Sequence, residues 1–115
     1  MVRQAGRLWA VLGVVGGPMQ PQGQVQVLAH MVDGGLDPQA ALDEPRVRWL
    51  GGDVIAVEQG AAPEIVPALR SAGFEVLDVG LPPGEFGAGQ VIRLHADGWL
   101  EGGADGRRDG VAFGF

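Results

Sequence analysis

An α+β fold with a mainly antiparallel sheet and helices packed on it is predicted by three observations. Apolar runs are short and lie between glycines and prolines, of which the 115 residues contain 21 and 8. Two Gly-containing turns, at Gly51-Gly52 and Asp97-Gly98, join strand-like runs and indicate hairpins. Segments of helical periodicity lie between these runs. The length fits one domain over residues 1–115.

The first element is predicted to be a buried strand over Leu8–Val15, which is apolar and partly β-branched. Met1–Arg3 is its expected hairpin partner, with Gln4-Ala5-Gly6 as the turn. Beyond the glycines at 16 and 17, apolar residues recur at helical spacing and predict an amphipathic helix over Pro21–Asp33. Gly34-Gly35 should end this helix.

The middle of the chain begins with a helix start signal, because Asp37 is a favoured N-cap and a proline follows it. We expect a short helix over Pro38–Asp43. Two strands should follow, Val47–Leu50 and Val54–Glu58, joined by the turn Gly51-Gly52-Asp53.

The next helix is expected within Pro63–Ala72, where Pro67 either lies inside the helix or begins it. A strand over Phe74–Val79 should follow it. The remaining predicted elements are a loop over Leu81–Gly87, a hairpin of Gly89–Leu94 with Trp99–Glu101, a polar turn over Asp105–Gly110 and an apolar end over Val111–Phe115.

Composition argues against several classes of partner. The net charge is −6 and no arginine cluster contains interleaved aromatic residues, so nucleic-acid binding is disfavoured. No apolar run approaches the about 20 residues of a membrane span. Leu8–Val15 is too short for a signal peptide and lacks a small-x-small cleavage site, which slightly favours the cytoplasm but leaves localisation open.

Few residues offer nucleophilic or metal chemistry. The chain has no threonine and no cysteine, and its single serine, Ser71, has neither a nucleophile elbow nor a nearby base. His30 and His95 have no partners at metal-ligand spacing, so neither a metal nor a cofactor is expected. The sequence therefore contains no recognisable catalytic nucleophile.

Gly16 and Gly17 have two interpretations. Glycine permits close backbone approach to a substrate, and the following helix start adds unpaired N–H groups, which together suit a developing oxyanion. The alternative is a strand-to-helix turn that requires positive φ.

Other polar residues suggest structural roles. The glutamines at 20, 22, 24 and 26 either line a pocket mouth or form a solvated, helix-capping side, and the second is favoured. Arg46 is expected to pair, in a structural role, with a buried carboxylate such as Asp43 or Glu44. The charges over Asp105–Asp109 are most simply a solvated turn with local ion pairs.

Four blocks in order carry a resemblance to a known family. They are the apolar strand with Gly16-Gly17 and Gln20-Pro21-Gln22, then Gly35–Arg46 ending in Pro-Arg, then Leu69–Val76, and finally Asp105–Ala112. This order resembles the C-terminal part of the catalytic subunit of the gamma-glutamyltransferase (gamma-glutamyltranspeptidase) and cephalosporin acylase family. The expected fold is then part of an αββα N-terminal-nucleophile hydrolase sandwich.

The resemblance implies a parent reaction and a missing part. Members are made as one chain that cuts itself and exposes a threonine as nucleophile. That threonine would lie upstream of Met1. The resemblance therefore implies that this reading frame begins in the middle of the family fold and that the chain is inactive by itself. Gly16 and Gly17 would form the oxyanion hole. Val14-Val15 stands where transferases have Ser-Pro, and Gly106 and Phe74 replace a proline and a histidine, which leaves γ-glutamyl specificity open.

Two functions remain in competition. The first is a fragment or separately encoded part of such an acyl-transfer enzyme, completed by an upstream nucleophile-bearing chain. The second is a nonenzymatic α+β module that uses the inherited fold for oligomerisation or ligand binding. Either predicts self-association or a partner chain, with contacts through the N-terminal hairpin or the Pro21–Asp33 helix, since a strand of a divided fold is left unpaired.

Overall fold

The computed structural model describes residues 1–77 and 80–114 and shows a mixed α+β fold. The strands are β1 (Val2–Gln4), β2 (Arg7–Val15), β3 (Val47–Gly51), β4 (Val54–Val57), β5 (Glu75–Leu77), β6 (Ala88–Leu94) and β7 (Leu100–Ala104). The helices are α1 (Met19–Val32), α2 (Pro38–Asp43) and α3 (Ile65–Ser71), with 3₁₀ turns at Pro83–Phe86 and Gly106–Arg108.

Four strands form an antiparallel sheet in the order β1-β2-β6-β7. The two predicted hairpins of this sheet are confirmed. Ala5 and Gly6 both have positive φ in the first turn, and the His95 amide donates to the Trp99 carbonyl at 3.0 Å in the second. Strand β7 continues to Ala104 and begins at Leu100, so it lies further along the chain than the predicted Trp99–Glu101.

The second sheet, in the order β3-β4-β5, departs from the purely antiparallel pattern. β3 and β4 form the predicted hairpin, but β4 and β5 are parallel and α3 connects them. A parallel pair needs a long crossover, which the helix supplies. Pro67 lies inside the first turn of α3, where its missing N–H removes no helical hydrogen bond. The predicted strand over Phe74–Val79 is described only to residue 77, and residue 115 of the apolar end also lies outside the described residues.

Helices α1 and α2 pack against one face of the four-stranded sheet. The core between them consists of Val14, Val27, Met31, Ala41, Leu42 and Val91. The prediction that β2 is a buried strand is right for one of its faces only. Ala10 and Val14 point into this core, whereas Val11 and Val15 on the other face are 42% and 51% exposed. The expectation that this strand is left unpaired is wrong, because β1 and β6 pair with its two edges.

The exposed side of this sheet is named the open face and consists of Val11, Val15, Ile92 and Leu100. The register places Val11 opposite Ile92, and alternation along β2, β6 and β7 puts all four on the same side. The four side chains are between 42% and 61% exposed. Among the described residues, 1–77 and 80–114, helices therefore pack on one face of this sheet and none covers the other.

Glutamines on α1 close the edge of the three-stranded sheet. The Gln26 amide group accepts from Val47 N and donates to Val47 O, both at 2.8 Å. Gln22 does the same for Trp49, accepting from its N–H at 2.7 Å. A four-residue helix step of about 6 Å matches a two-residue strand step of about 6.6 Å, so both pairs form together. The expectation that these glutamines form a solvated side is wrong for Gln22 and Gln26.

Candidate functional site

The turn between β2 and α1 has two successive residues in the positive-φ region, which glycine adopts without steric cost. Gly16 has φ +127° and Gly17 has φ +57°. Their carbonyls accept from Met19 N at 3.1 Å and from Gln20 N at 3.0 Å, which starts the helix two residues before the predicted Pro21. Within residues 1–77 and 80–114, neither glycine amide donates a hydrogen bond. Two N–H groups are therefore free at the positive end of a 14-residue helix.

The two glycines differ in their surroundings. A Cβ at Gly16 would lie 3.0 Å from the Gly87 Cα, so the backbone there is in close contact with a second glycine. A Cβ at Gly17 would meet no described atom within 4 Å. Gly16 thus packs against the backbone of Gly87, whereas the space beside Gly17 is open and another group can approach it.

A buried ion pair lies beside this turn. Arg46 and Asp105 are 1% and 2% exposed, and Arg46 Nη2 is 2.7 Å from Asp105 Oδ2. Arg46 also donates from Nη1 to the Phe86 carbonyl at 3.0 Å and from Nη2 to the Leu42 carbonyl at 3.3 Å. Arg46 therefore pairs with a buried carboxylate, as expected, but the partner is Asp105 and not Asp43 or Glu44, because residue 105 approaches from a distant part of the chain.

Arg107 extends the ion pair into a network. Its guanidinium donates to both oxygens of Glu58, at 2.6 and 2.7 Å, and to Asp105 Oδ1 at 3.1 Å. Glu58 also accepts from the Arg46 amide at 2.9 Å. The expectation of a solvated turn over Asp105–Asp109 is therefore wrong at Asp105 and Arg107, since Asp105 is buried and Arg107 bridges three elements.

The network shifts two ionisation equilibria. Burial by itself raises the pKa of Asp105, but amide donors from Arg107 and Gly89 and the Arg46 charge outweigh it, so the pKa lies below its ordinary value of 3.8. Burial by itself lowers the pKa of Arg107, whereas Glu58 and Asp105 raise it above its ordinary value. Both residues are therefore charged at neutral pH.

The other candidate residues lie away from the glycine turn. Ser71 is exposed at the end of α3, consistent with a surface helix residue. His95 stacks on Trp99 at 3.7 Å and contacts Glu101 at 2.9 Å. Among residues 1–77 and 80–114, no three His, Asp or Glu side chains form a group that could hold a metal ion. In the same part of the chain, no helix has the length and hydrophobicity of a membrane span.

The network is the feature that sequence reasoning missed. Arg46 ends one of the four family-like blocks and Asp105 begins another, so both charges stood in recognised motifs. Their place in two motifs singled out both charges, although nothing local to either residue indicated that they pair. The structure joins them directly.

A mixed α+β fold with a glycine turn of free amides at a helix start defines a candidate oxyanion-binding protein. Comparison with known proteins shows the family and the fold. The Gamma-glutamyltranspeptidase family profile matches residues 1–115, and the chain belongs to this family.

Curated relatives are similar over nearly all of this chain but are much longer. The Glutathione hydrolase-like YwrD proenzyme of Bacillus subtilis is 34% identical over 99% of this chain and 23% of its own length. The Oxamate amidohydrolase proenzyme of Klebsiella pneumoniae is 33% identical over 91% of this chain and 21% of its own length. The chain thus spans less than a quarter of these relatives.

Solved structures share the fold. A cephalosporin acylase from Bacillus halodurans superposes with a TM-score of 0.87 and 41% identity, covering 94% of this chain and 20% of that one. A gamma-glutamyltranspeptidase from Pseudomonas nitroreducens superposes with a TM-score of 0.80 and 28% identity, covering 99% and 59%. The predicted family and α+β class are confirmed.

Proposed function

We propose that this chain supplies the oxyanion-binding part of an acyl-transfer enzyme of the gamma-glutamyltranspeptidase family. The observation that supports it best is the turn at Gly16 and Gly17, whose free amides lie at the N-terminus of α1. Fixed N–H donors aimed at a developing negative charge lower the barrier to amide attack, because they need no reorganisation during the reaction.

The nucleophile comes from a preceding segment in this proposal. A threonine hydroxyl there attacks the amide carbonyl, and the threonine's own amino group accepts the proton. The carbonyl oxygen becomes an oxyanion, and Gly16 and Gly17 hold it. The leaving amine departs with a proton, and water or a second amine then attacks the acyl-enzyme. This chain has no threonine and is inactive alone.

The open face supports completion by another segment. It presents Val11, Val15, Ile92 and Leu100 to solvent on the side of the sheet that has no helical layer. Sheets of two-layer cores pack through such apolar faces at a separation of about 10 Å. We infer that the nucleophile-bearing segment covers this face.

The proposed substrate class is an acyl amide, and the identity of its acyl group is left undetermined. The relatives are named for glutathione, oxamate and cephalosporin substrates, all of which contain an amide bond. The residues Val14-Val15, at the Ser-Pro position of the transferases, leave a γ-glutamyl group as one candidate among several.

A chimaera tests this proposal. Residues 1–115 would replace the matched segment of the Bacillus halodurans cephalosporin acylase, and hydrolysis of a γ-glutamyl anilide and of a cephalosporin amide would be measured. We expect turnover by the chimaera and none by the isolated chain. Robust turnover by the isolated chain that Ser71→Ala abolishes would overturn the proposal.

Two matched glycines separate chemistry from backbone strain. Gly17 and Gly52 have φ of +57° and +53°, and an added Cβ would meet no described atom within 4 Å at either. Each alanine variant should cost about 1 kcal/mol of stability. In the chimaera, Gly17→Ala should lower kcat by about 10- to 100-fold, because the methyl group occupies the space in front of the amide. Gly52→Ala should retain kcat, and equal losses in both variants would contradict the assigned role.

The open face also favours a second candidate, a nonenzymatic module that self-associates. A group of exposed apolar side chains on a sheet face is a surface suited to association with another chain. Light scattering of the isolated chain at micromolar concentration tests this candidate. A dimer of the isolated chain, together with a chimaera that shows no turnover, would favour the nonenzymatic module. A monomeric isolated chain would exclude it.

A further inference from the structure

The buried ion pair forms hydrogen bonds with the backbone segment that packs against the Gly16-Gly17 turn. Arg46 Nη1 holds the Phe86 carbonyl at 3.0 Å, and Asp105 Oδ2 accepts from the Gly89 amide at 2.9 Å. The Asp105 amide in turn donates to the Gly89 carbonyl at 3.0 Å. The two charged residues therefore hold the backbone on both sides of Gly87.

Gly87 is the contact between that backbone and the turn. It has φ +76°, and an added Cβ would lie 2.5 Å from the Val15 carbonyl oxygen. From the other side, a Cβ at Gly16 would lie 3.0 Å from the Gly87 Cα. Backbone packs on backbone here without an intervening side chain, so a shift of Gly87 moves Gly16.

The glycine content of this region creates the need for an external support. Gly16, Gly17, Gly87 and Gly89 have no side chains to lock by packing, and glycine has the largest backbone freedom of any residue. Hydrogen bonds from a buried guanidinium and carboxylate are short and directional. They supply the fixed geometry that these glycines lack.

Stability alone does not explain the choice of a buried ion pair. Desolvation of two charges offsets much of their attraction, and an apolar replacement is often as stable. Arg46 Nε is also buried and has no hydrogen-bond partner among the described residues, which adds a cost. A geometric role accounts for retaining the charged pair.

We propose that Arg46 and Asp105 are positioning residues that hold Gly16 and Gly17 in place through Gly87. This role rests on the proposed function of the glycine amides. The fork of Arg46 is essential to it, because one planar group contacts Phe86, Leu42 and Asp105 together and an ammonium group presents a single donor centre.

The direct test measures the motion of the turn in the chain itself. Backbone ¹⁵N order parameters would be recorded for Gly16 and Gly17 in the wild type and in Arg46→Lys, which keeps the charge and loses the fork. We expect values near 0.85 to fall below about 0.6. Gln26→Ala is the control, since it weakens the fold at the α1–β3 contact and does not touch Gly87.

The second readout is catalytic. In the chimaera, Arg46→Lys should lower kcat about tenfold and leave KM within about twofold, because a misplaced donor affects the transition state more than substrate binding. Should Arg46→Lys fail to fold, Asp105→Asn serves instead, since it keeps the shape and an acceptor for Gly89 and loses the charge.

The outcomes separate the two proposals. Rigid glycines in both the wild type and the variants, or glycines already mobile in the wild type, overturn the positioning role whatever the activity. Loss of order in Arg46→Lys but not in Gln26→Ala supports the positioning role even when the chimaera is inactive, in which case only the proposed function fails.

Discussion

Replacing Gln26 by alanine should destabilise the fold well beyond what an exposed helix position allows. Its side chain makes two 2.8 Å hydrogen bonds to the N–H and C=O of Val47, a half-buried residue on the edge of the three-stranded sheet. A net hydrogen bond contributes about 0.5–1.5 kcal/mol, and two are lost together. We therefore expect a loss of about 1–3 kcal/mol.

The assay is urea unfolding followed by tryptophan fluorescence. Trp49 on β3, one of three tryptophans, lies on the affected strand. In a parallel thermal unfolding experiment, the melting temperature should fall by about 4 °C for each kcal/mol lost in a domain of this size. In Gln26→Glu, a protonated glutamate keeps both an acceptor for the Val47 amide and an O–H donor for its carbonyl, whereas the ionised carboxylate has no donor. Relative to the wild type at the same pH, this variant should therefore lose less stability at acidic pH than at neutral pH.

Gln24 provides the matched control on the same helix. It makes none of the hydrogen bonds to β3, and alanine has a higher helix propensity than glutamine. Gln24→Ala should therefore be neutral or slightly stabilising. Equal stabilities of Gln24→Ala and Gln26→Ala would refute the view that α1 completes the edge of the sheet.

Three further predictions follow from burial, packing and exposure. Because the folded pKa of Asp105 lies below the ordinary 3.8, its contribution to stability is complete above that value and is lost as the pH falls through the folded pKa. The urea midpoint should drop accordingly on acidification below about pH 4, and Asp105→Asn should flatten this slope. Gly89→Ala places a Cβ 2.6 Å from Leu42 Cδ2 and should cost about 1–3 kcal/mol in urea unfolding, whereas Gly102→Ala, with its nearest atom at 3.4 Å, should cost much less. Val11→Lys on the open face should reduce the mass measured by light scattering and leave the melting temperature nearly unchanged; a large loss of stability would place Val11 in the core instead.

Local signals in the sequence were sufficient for most of the elements. Asp37 caps α2 by accepting from the Ala40 amide at 2.8 Å, as its residue type and the following proline predicted. The turns at residues 5–6, 51–52 and 98 have the positive φ that their glycines suggested. Each of these caps and turns depends on a few neighbouring residues, so the local sequence is sufficient to predict it.

Only one part of the candidate site, the glycine turn, could be predicted from local sequence signals. Gly16 and Gly17 stand out because paired glycines between a strand and a helix are unusual in their backbone requirements. The residues behind them do not stand out, since nothing local to Arg46 indicates a partner at position 105.

The sequence by itself determined the element types, the family resemblance and the glycine turn, because dihedral preferences and hydrophobic period are properties of short segments. Tertiary structure alone decided that Arg46 pairs with Asp105, that Gln26 binds Val47, that β4 and β5 run parallel and that β2 has an open face. Each of these depends on the relative placement of segments distant in sequence. A buried charge or amide must find a partner at about 3 Å wherever the packed layers place one.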